Sequence, residues 1–256
     1  MISEWQTPGN ALDRHPFMRA LREKQRWAAE FPEISAAWDE AIAEEHRRES
    51  EATRALREAR LGVVVAERLD RVGVPQRCIQ VLDAELKSTP AFVAAQEFVW
   101  AQESFLLLLG SAGAGKSVAA ASVLKHQVKS MLERDWACGS DAVMRRVCFV
   151  RAAEAARTAA SDYSDDDRRR FADWCSVRWL VLDDLGTERA WDGWLSRLDE
   201  LIDQRYGDKL KTIITTNLNG QTFKARYGER IADRIRDDGC IVSAGQLSLR
   251  KPAVPR

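Results

Sequence analysis

The stretch Phe105-Leu106-Leu107-Leu108-Leu109-Gly110-Ser111-Ala112-Gly113-Ala114-Gly115-Lys116-Ser117 decides the architecture. Its five apolar residues make a run of strand length, and the eight that follow fit G-x-x-x-x-G-K-[ST] in full. A stretch of helical pattern, Ser117–Arg134, comes next. Strand, glycine-rich loop and helix in that order are the context this motif requires. The spacing follows from chemistry. Glycines let the backbone turn tightly enough for successive N–H groups to face phosphate oxygens, and the partial positive charge at the helix N-terminus adds to the attraction. The cradle comprises Gly110, Gly113, Ala114, Gly115, Lys116, Ser117 and Val118. Lys116 reaches the β and γ phosphates and the Ser117 hydroxyl ligates Mg²⁺. A chance match is on the order of one in a hundred, and the flanking strand and helix lower it further, so a merely structural glycine turn is set aside.

Working outward, Trp179-Leu180-Val181-Leu182 is a second strand-like run, and it ends in Asp183-Asp184. Packing gives no reason to close a buried strand with two carboxylates. A strand beside a phosphate loop does: Asp183 holds Mg²⁺ through its water shell, and Asp184 orients or deprotonates an attacking water. Further strand-like runs at Val147–Val150, Thr212–Thr215 and Cys240–Val242 alternate with helical stretches. These are Ala152–Ala160 with Arg168–Cys175, Trp194–Tyr206, and one continuous helix over Gln221–Arg236. Alternation over residues 100–245 predicts an α/β domain with a parallel sheet covered on both faces. Thr89-Pro90 starts a helix running to about Gln102, and Ser161–Arg170 reads as a polar Asp/Arg loop.

The N-terminal part is different. From about Leu12 to Arg60 the chain is dense in Glu, Arg and Ala, with Phe17, Leu21, Trp27, Ala28 and Phe31 at helical spacing. After Pro32, the residues Ile34, Trp38, Ala41 and Ile42 form a narrower stripe. This predicts one or two long helices with too little apolar surface for a core of their own. Such an arm is either a solvated appendage or a docking element for a partner's helices.

The 256 residues carry 39 basic and 39 acidic side chains, so a uniformly basic nucleic-acid binder is excluded and any such surface is a local patch. No apolar run approaches the roughly 18 residues of a membrane span. The N-terminus lacks the order of a signal peptide, and the five scattered cysteines form no CxxC or Cys/His pair. The expectation is a reduced, cytoplasmic protein without a structural zinc.

Five blocks in order carry a resemblance: Gly110–Ser117, Leu180–Glu188, Asp203–Tyr206, Thr212–Leu218 and Gly228–Arg234. Together they resemble the DnaC/IstB group of AAA+ ATPases, which contains bacterial and phage helicase loaders and ATP-dependent transposase regulators. The resemblance covers roughly Arg71 to Arg250, and Arg71–Arg77 and Ser248–Lys251 fit it as well. It implies a P-loop AAA+ (ASCE) three-layer domain at 66–256 with a five-stranded parallel sheet, and an N-terminal helical partner-docking extension at 1–65. The twenty residues after Arg236 are too few for a helical lid. It also implies that Asn217 is the polar sensor of the γ-phosphate, that Arg71–Arg77 contacts the adenine base, and that Arg234, with Arg230, carries an arginine finger acting on a neighbouring subunit. The alternative for Arg230, Asp233 and Arg234 is a surface ion-pair helix. Where most AAA+ proteins have Glu, this chain has Asp184; the shorter arm predicts slow basal hydrolysis.

The function implied is ATP- and Mg²⁺-dependent loading of a hexameric replicative helicase onto single-stranded DNA, with self-association through the Arg230/Arg234 block. The rivals are an IstB-like regulator of a transposase, a P-loop kinase, and a scaffold that binds ATP without hydrolysing it. For DNA, the candidates are Arg189 and Trp191 and the segment with Arg168 and Arg169, since arginine beside aromatic rings suits sequence-tolerant strand binding. Trp191 has helix packing as its alternative.

Overall fold

The computed structural model describes residues 26, 29–84, 88–134, 142–143, 145–160, 164–189, 191–245 and 248–249. In chain order these form α1 (Pro32–Arg71), α2 (Gln76–Leu82), α3 (Pro90–Phe98), β1 (Phe105–Leu109), α4 (Lys116–Arg134) and β2 (Val147–Arg151). There follow α5 (Ala152–Ala160), α6 (Asp165–Ser176), β3 (Trp179–Leu185), α7 (Asp192–Gly207), β4 (Lys211–Thr216), α8 (Gly220–Tyr227), α9 (Glu229–Asp237) and β5 (Gly239–Ser243).

The chain divides into two units, Met1–Arg60 and Leu61–Arg256. In the first, the described part is helical and exposed. Leu56 is 73% accessible, and Glu44 pairs with Arg47 and Arg48 while Arg54 pairs with Glu58, one helical turn apart. Phe17, Leu21, Trp27, Ala28 and the side chains of Ile34, Trp38 and Ile42 lie outside the described residues. The second unit takes in the last turns of α1, because Val65 and Leu69 are buried in its core.

The second unit is a three-layer domain around a five-stranded, wholly parallel sheet of order β2-β3-β4-β1-β5. Alternation along each strand splits the core in two, as a period of two residues requires. Leu106 and Leu108 of β1, Val181 of β3 and Ile213 of β4 pack with α2, α3 and α4. Phe105 and Leu107, Leu180 and Leu182, and Ile214 face the other way, onto α5 to α9. β1 matches its apolar run, and the other four strands come out longer than theirs, since residues flanking the runs still pair in the sheet.

Three local expectations are corrected. The helix read over Gln221–Arg236 is two helices, broken at Gly228, whose φ of +86° no side-chain-bearing residue adopts readily. Residues 165–170 are not loop. Ser164 caps α6 by accepting from the backbone N–H of Asp166 and Asp167, and the acids Asp165–Asp167 occupy the first turn, where the helix end favours negative charge. Finally, α3 ends at Phe98 rather than near Gln102.

One irregularity positions the site. Between Leu182, opposite Ile214, and Leu185, opposite Thr216, β3 advances three residues while β4 advances two. The bulge holds Asp183 and Asp184, and Asp184 takes a left-handed φ of +58°. A bulge re-aims side chains at a strand end, which is how two successive carboxylates take different environments.

Candidate nucleotide site

The loop after β1 turns through three glycines at positive φ: Gly110 (+145°), Gly113 (+87°) and Gly115 (+83°). At Gly110 a Cβ would sit 2.8 Å from the Gly245 carbonyl oxygen, so the close approach requires glycine. Lys116, the first residue of α4, is buried. Its Nζ donates to the carbonyls of Gly110 and Ser111, both at 2.8 Å, and to Asn217 Oδ1 at 2.9 Å. The ammonium therefore joins the loop to the end of β4, across 101 residues of sequence. Asn217 directly follows β4.

Beside it, Thr215 ties the two carboxylates together. Its Oγ1 donates to Asp183 Oδ1 at 2.7 Å and accepts from the Asp184 backbone N–H at 2.9 Å. Asp183 is fully buried, and burial pushes its carboxyl above the ordinary carboxylate value, against the lowering effect of hydrogen bonds from Thr215 and Ser117. Asp183 Oδ2 is buried without a hydrogen-bond partner. A buried carboxylate oxygen left bare is costly, and the Ser117 side chain is close enough to this carboxyl to lower its pKa. Carboxylate and hydroxyl are hard oxygen donors of the kind Mg²⁺ takes, one or two from protein and the rest from phosphate and water. Among the described residues, no group of three or more His, Cys, Asp or Glu is placed to hold a metal ion.

A cavity of about 450 Å³ opens at this point. Gly113, Gly115, Lys116, Ser117, Asp184 and Asn217 line it, and Ala112, Val118 and Ala119 complete the wall beside the loop. The remainder is Arg77, Cys78, Val81, Thr89, Phe92 and Leu249. Arg77 and Leu249 belong to blocks singled out in the sequence. Cys78, Val81, Thr89 and Phe92 were missed, because nothing in the amphipathic pattern of α2 and α3 separates a cavity wall from core. Burial raises the Cys78 thiol, which is thus no activated nucleophile. Thr215 was missed too, lying inside a strand run that reads as core.

The two arginines lie elsewhere. Arg230 and Arg234, one turn apart on α9, meet Asp199 and Asp203, one turn apart on α7. Arg234 bonds Asp199 at 3.2 Å and also Asp203, with only 17% of its side chain accessible; Arg230 is 64% accessible. Neither lines the cavity. Within one chain both are paired across to α7, while Asp233 pairs with Arg236.

Arg168, Arg169 and Arg189 are exposed, and Arg168 pairs with Asp165. Trp191 lies over Gly193, where a Cβ would fall 1.7 Å from its ring, and remains 39% accessible. Trp191 and Arg168 line adjoining concavities that share Ala159, Arg197 and Glu200. The structure thus brings these two candidates to one surface.

No family model matches the chain. Over 130 residues it is 28% identical to YdaV, an uncharacterized protein of Escherichia coli (strain K12), and the match spans 51% of this chain and 48% of that protein. The chain thus matches about half the length of this curated relative. Among solved structures it is similar to the DnaC helicase loader, with a TM-score of 0.53 at 23% identity, covering 66% of this chain and 99% of that one. It is similar also to DnaI, with a TM-score of 0.53 at 20% identity, covering 72% and 100%. The fold is that of the DnaC-like AAA+ proteins. No helix among the described residues is long and apolar enough to cross a membrane.

Proposed function

We propose that the protein is a Mg²⁺-dependent ATPase that loads a hexameric replicative helicase onto single-stranded DNA, with ATP binding and hydrolysis as its switch. The observation that carries the ATPase part is the convergence of Lys116, Asp183, Asp184, Thr215 and Asn217 at the carboxyl ends of β1, β3 and β4, beside one cavity. Ligands of parallel α/β sheets bind at that end. The loader part rests on likeness in fold to the DnaC helicase loader.

Each residue has a role its surroundings allow. The loop glycines and Ala114 present backbone N–H groups to phosphate oxygens, and Lys116 exchanges carbonyl partners for phosphate. Ser117 and Asp183 would hold Mg²⁺, which when bound neutralises charge on the β and γ phosphates. Asp184, on the cavity wall, orients or deprotonates the attacking water, and Asn217 polarises the same region. Arg234, with Arg230, would supply a guanidinium to the γ-phosphate of a neighbouring subunit, which requires release from Asp199 and Asp203. The helical extension, 1–65, would engage the helicase. The surface with Trp191 and Arg168, together with Arg169 and Arg189, would take the DNA strand.

The test pairs two measurements. Phosphate release is followed for wild type, Lys116→Ala and Asp184→Asn with ATP and Mg²⁺. Partners are then captured from host lysate on the tagged chain and on residues 61–256, and identified by mass spectrometry. The proposal expects release that both substitutions abolish, and a replicative helicase recovered only when the first sixty residues are present. Recovery of a transposase, with preference for duplex over single-stranded DNA, would place the protein with the transposition regulators. Absence of release, with a phosphorylated small-molecule acceptor, would make it a kinase.

A further inference from the structure

One buried carboxylate has no part in the chemistry above. Glu188 follows the bulge of β3 by three residues, and its side chain is 1% accessible. Its Oε2 accepts from the Gly186 N–H at 2.7 Å, inside a turn closed by Thr187, whose N–H and hydroxyl both donate to the Asp184 carbonyl at 3.2 and 2.8 Å. Gly186 has a φ of +112°, and a Cβ there would meet Leu218 at 3.0 Å, so this turn has little room to move.

The other oxygen faces away from the turn. Glu188 Oε1 accepts from the Tyr227 hydroxyl at 2.5 Å and from the Trp194 indole N–H at 3.4 Å. The Arg226 guanidinium stands 3.6 Å from the same oxygen, donates to the Glu188 backbone carbonyl, and donates to the Tyr227 hydroxyl at 3.2 Å. Arg226 and Tyr227 are the last two residues of α8, and Gly228 then swings the chain into α9, which carries Arg230 and Arg234. A carboxylate buried in the domain is retained only with its partners in place. Its two oxygens here serve two different elements.

We propose that Glu188 is a positioning residue that ties the Asp183–Asp184 strand end to the helix bearing Arg230 and Arg234, so that water activation and arginine presentation are set together. This rests on the ATPase reading above and extends it. Glu188 does not line the cavity, so it acts through other residues and leaves ground-state nucleotide contacts alone.

Two variants test it. Glu188→Gln keeps an acceptor for Gly186 and loses the charge facing Arg226. Tyr227→Phe leaves the turn intact and removes the hydroxyl. For each, binding of a fluorescent ATP analogue, the turnover number for phosphate release and the melting temperature are measured, alone and combined with Arg234→Lys. The expected result is affinity within twofold of wild type and turnover down about tenfold for Glu188→Gln and several-fold for Tyr227→Phe. On the Arg234→Lys background, the further loss is smaller than the product of the single effects, because coupled residues are not additive. Turnover within twofold of wild type in both variants would overturn the tie while leaving the ATPase reading intact. So would affinity lost in step with turnover, or losses that multiply. Wild-type release no greater than that of Lys116→Ala would overturn the ATPase reading, and this role with it.

Discussion

Asp183→Asn is expected to stabilise the protein in the absence of divalent cation while ending its response to Mg²⁺. The carboxylate is fully buried with Oδ2 unpartnered, and burial raises its pKa despite the hydrogen bonds from Thr215 and Ser117. An unmet buried polar group costs about 1–3 kcal/mol, more when charged. The amide removes the charge but brings N–H groups of its own to satisfy, so the net gain is about 1–2 kcal/mol. For a domain of this size that is a rise of about 2–6 °C in Tm. The pH dependence has a definite sign. Below the ordinary carboxylate value of 3.8 the group is protonated in both folded and unfolded chains and contributes nothing. As pH rises from 3.8 towards the raised folded value, the unfolded chain ionises while the folded one stays protonated, so wild type loses stability relative to the variant; above the folded value both states are ionised and the difference is constant. The assay is thermal unfolding in EDTA from pH 4 to 8, repeated with Mg²⁺ and a non-hydrolysable ATP analogue. An Asp183→Asn protein that melts below wild type at pH 7.5 in EDTA, or a difference that does not grow with pH, would refute the reasoning.

Other substitutions probe the same frame. Thr215→Val removes the hydroxyl that serves both Asp183 and Asp184, and is expected to cost about 2–4 kcal/mol, read from the urea midpoint; a cost within 0.5 kcal/mol would mean the bridge is dispensable. Asp184→Glu puts a longer residue where φ is +58°, a conformation Asp adopts more readily than Glu. It is expected to lower stability by about 1 kcal/mol without speeding phosphate release, and a faster variant of equal stability would contradict this. Arg205 is wholly buried and donates to Thr212 Oγ1 and the carbonyls of Trp174, Val177 and Lys211. Arg205→Met strands three carbonyls and is expected to cost about 3 kcal/mol or more by chemical denaturation.

What the sequence by itself determined is the part governed by short-range rules. Apolar runs separated by amphipathic stretches specify parallel strands and covering helices, because alternating faces need burial on both sides. The glycine spacing before Lys116 specifies a phosphate loop, because backbone geometry there is local. The misreadings were local conflicts. The stretch Gln221–Arg236 reads as helix, but Gly228 at positive φ splits it in two, and the acids of 165–167, read as loop, form the first turn of α6 behind the Ser164 cap.

The tertiary structure decided which distant residues meet. Thr215 reads as core until the β3–β4 register sets its hydroxyl between the Asp183 carboxylate and the Asp184 backbone N–H, and Glu188, one residue of a sequence block, is enclosed by Trp194, Arg226 and Tyr227. Arg230 and Arg234 matched a motif, but that they face Asp199 and Asp203 depends on how α7 and α9 pack. Sequence spacing carries periodicity along one element. Burial, and with it the cost of each unpaired oxygen, exists only once separate elements have come together.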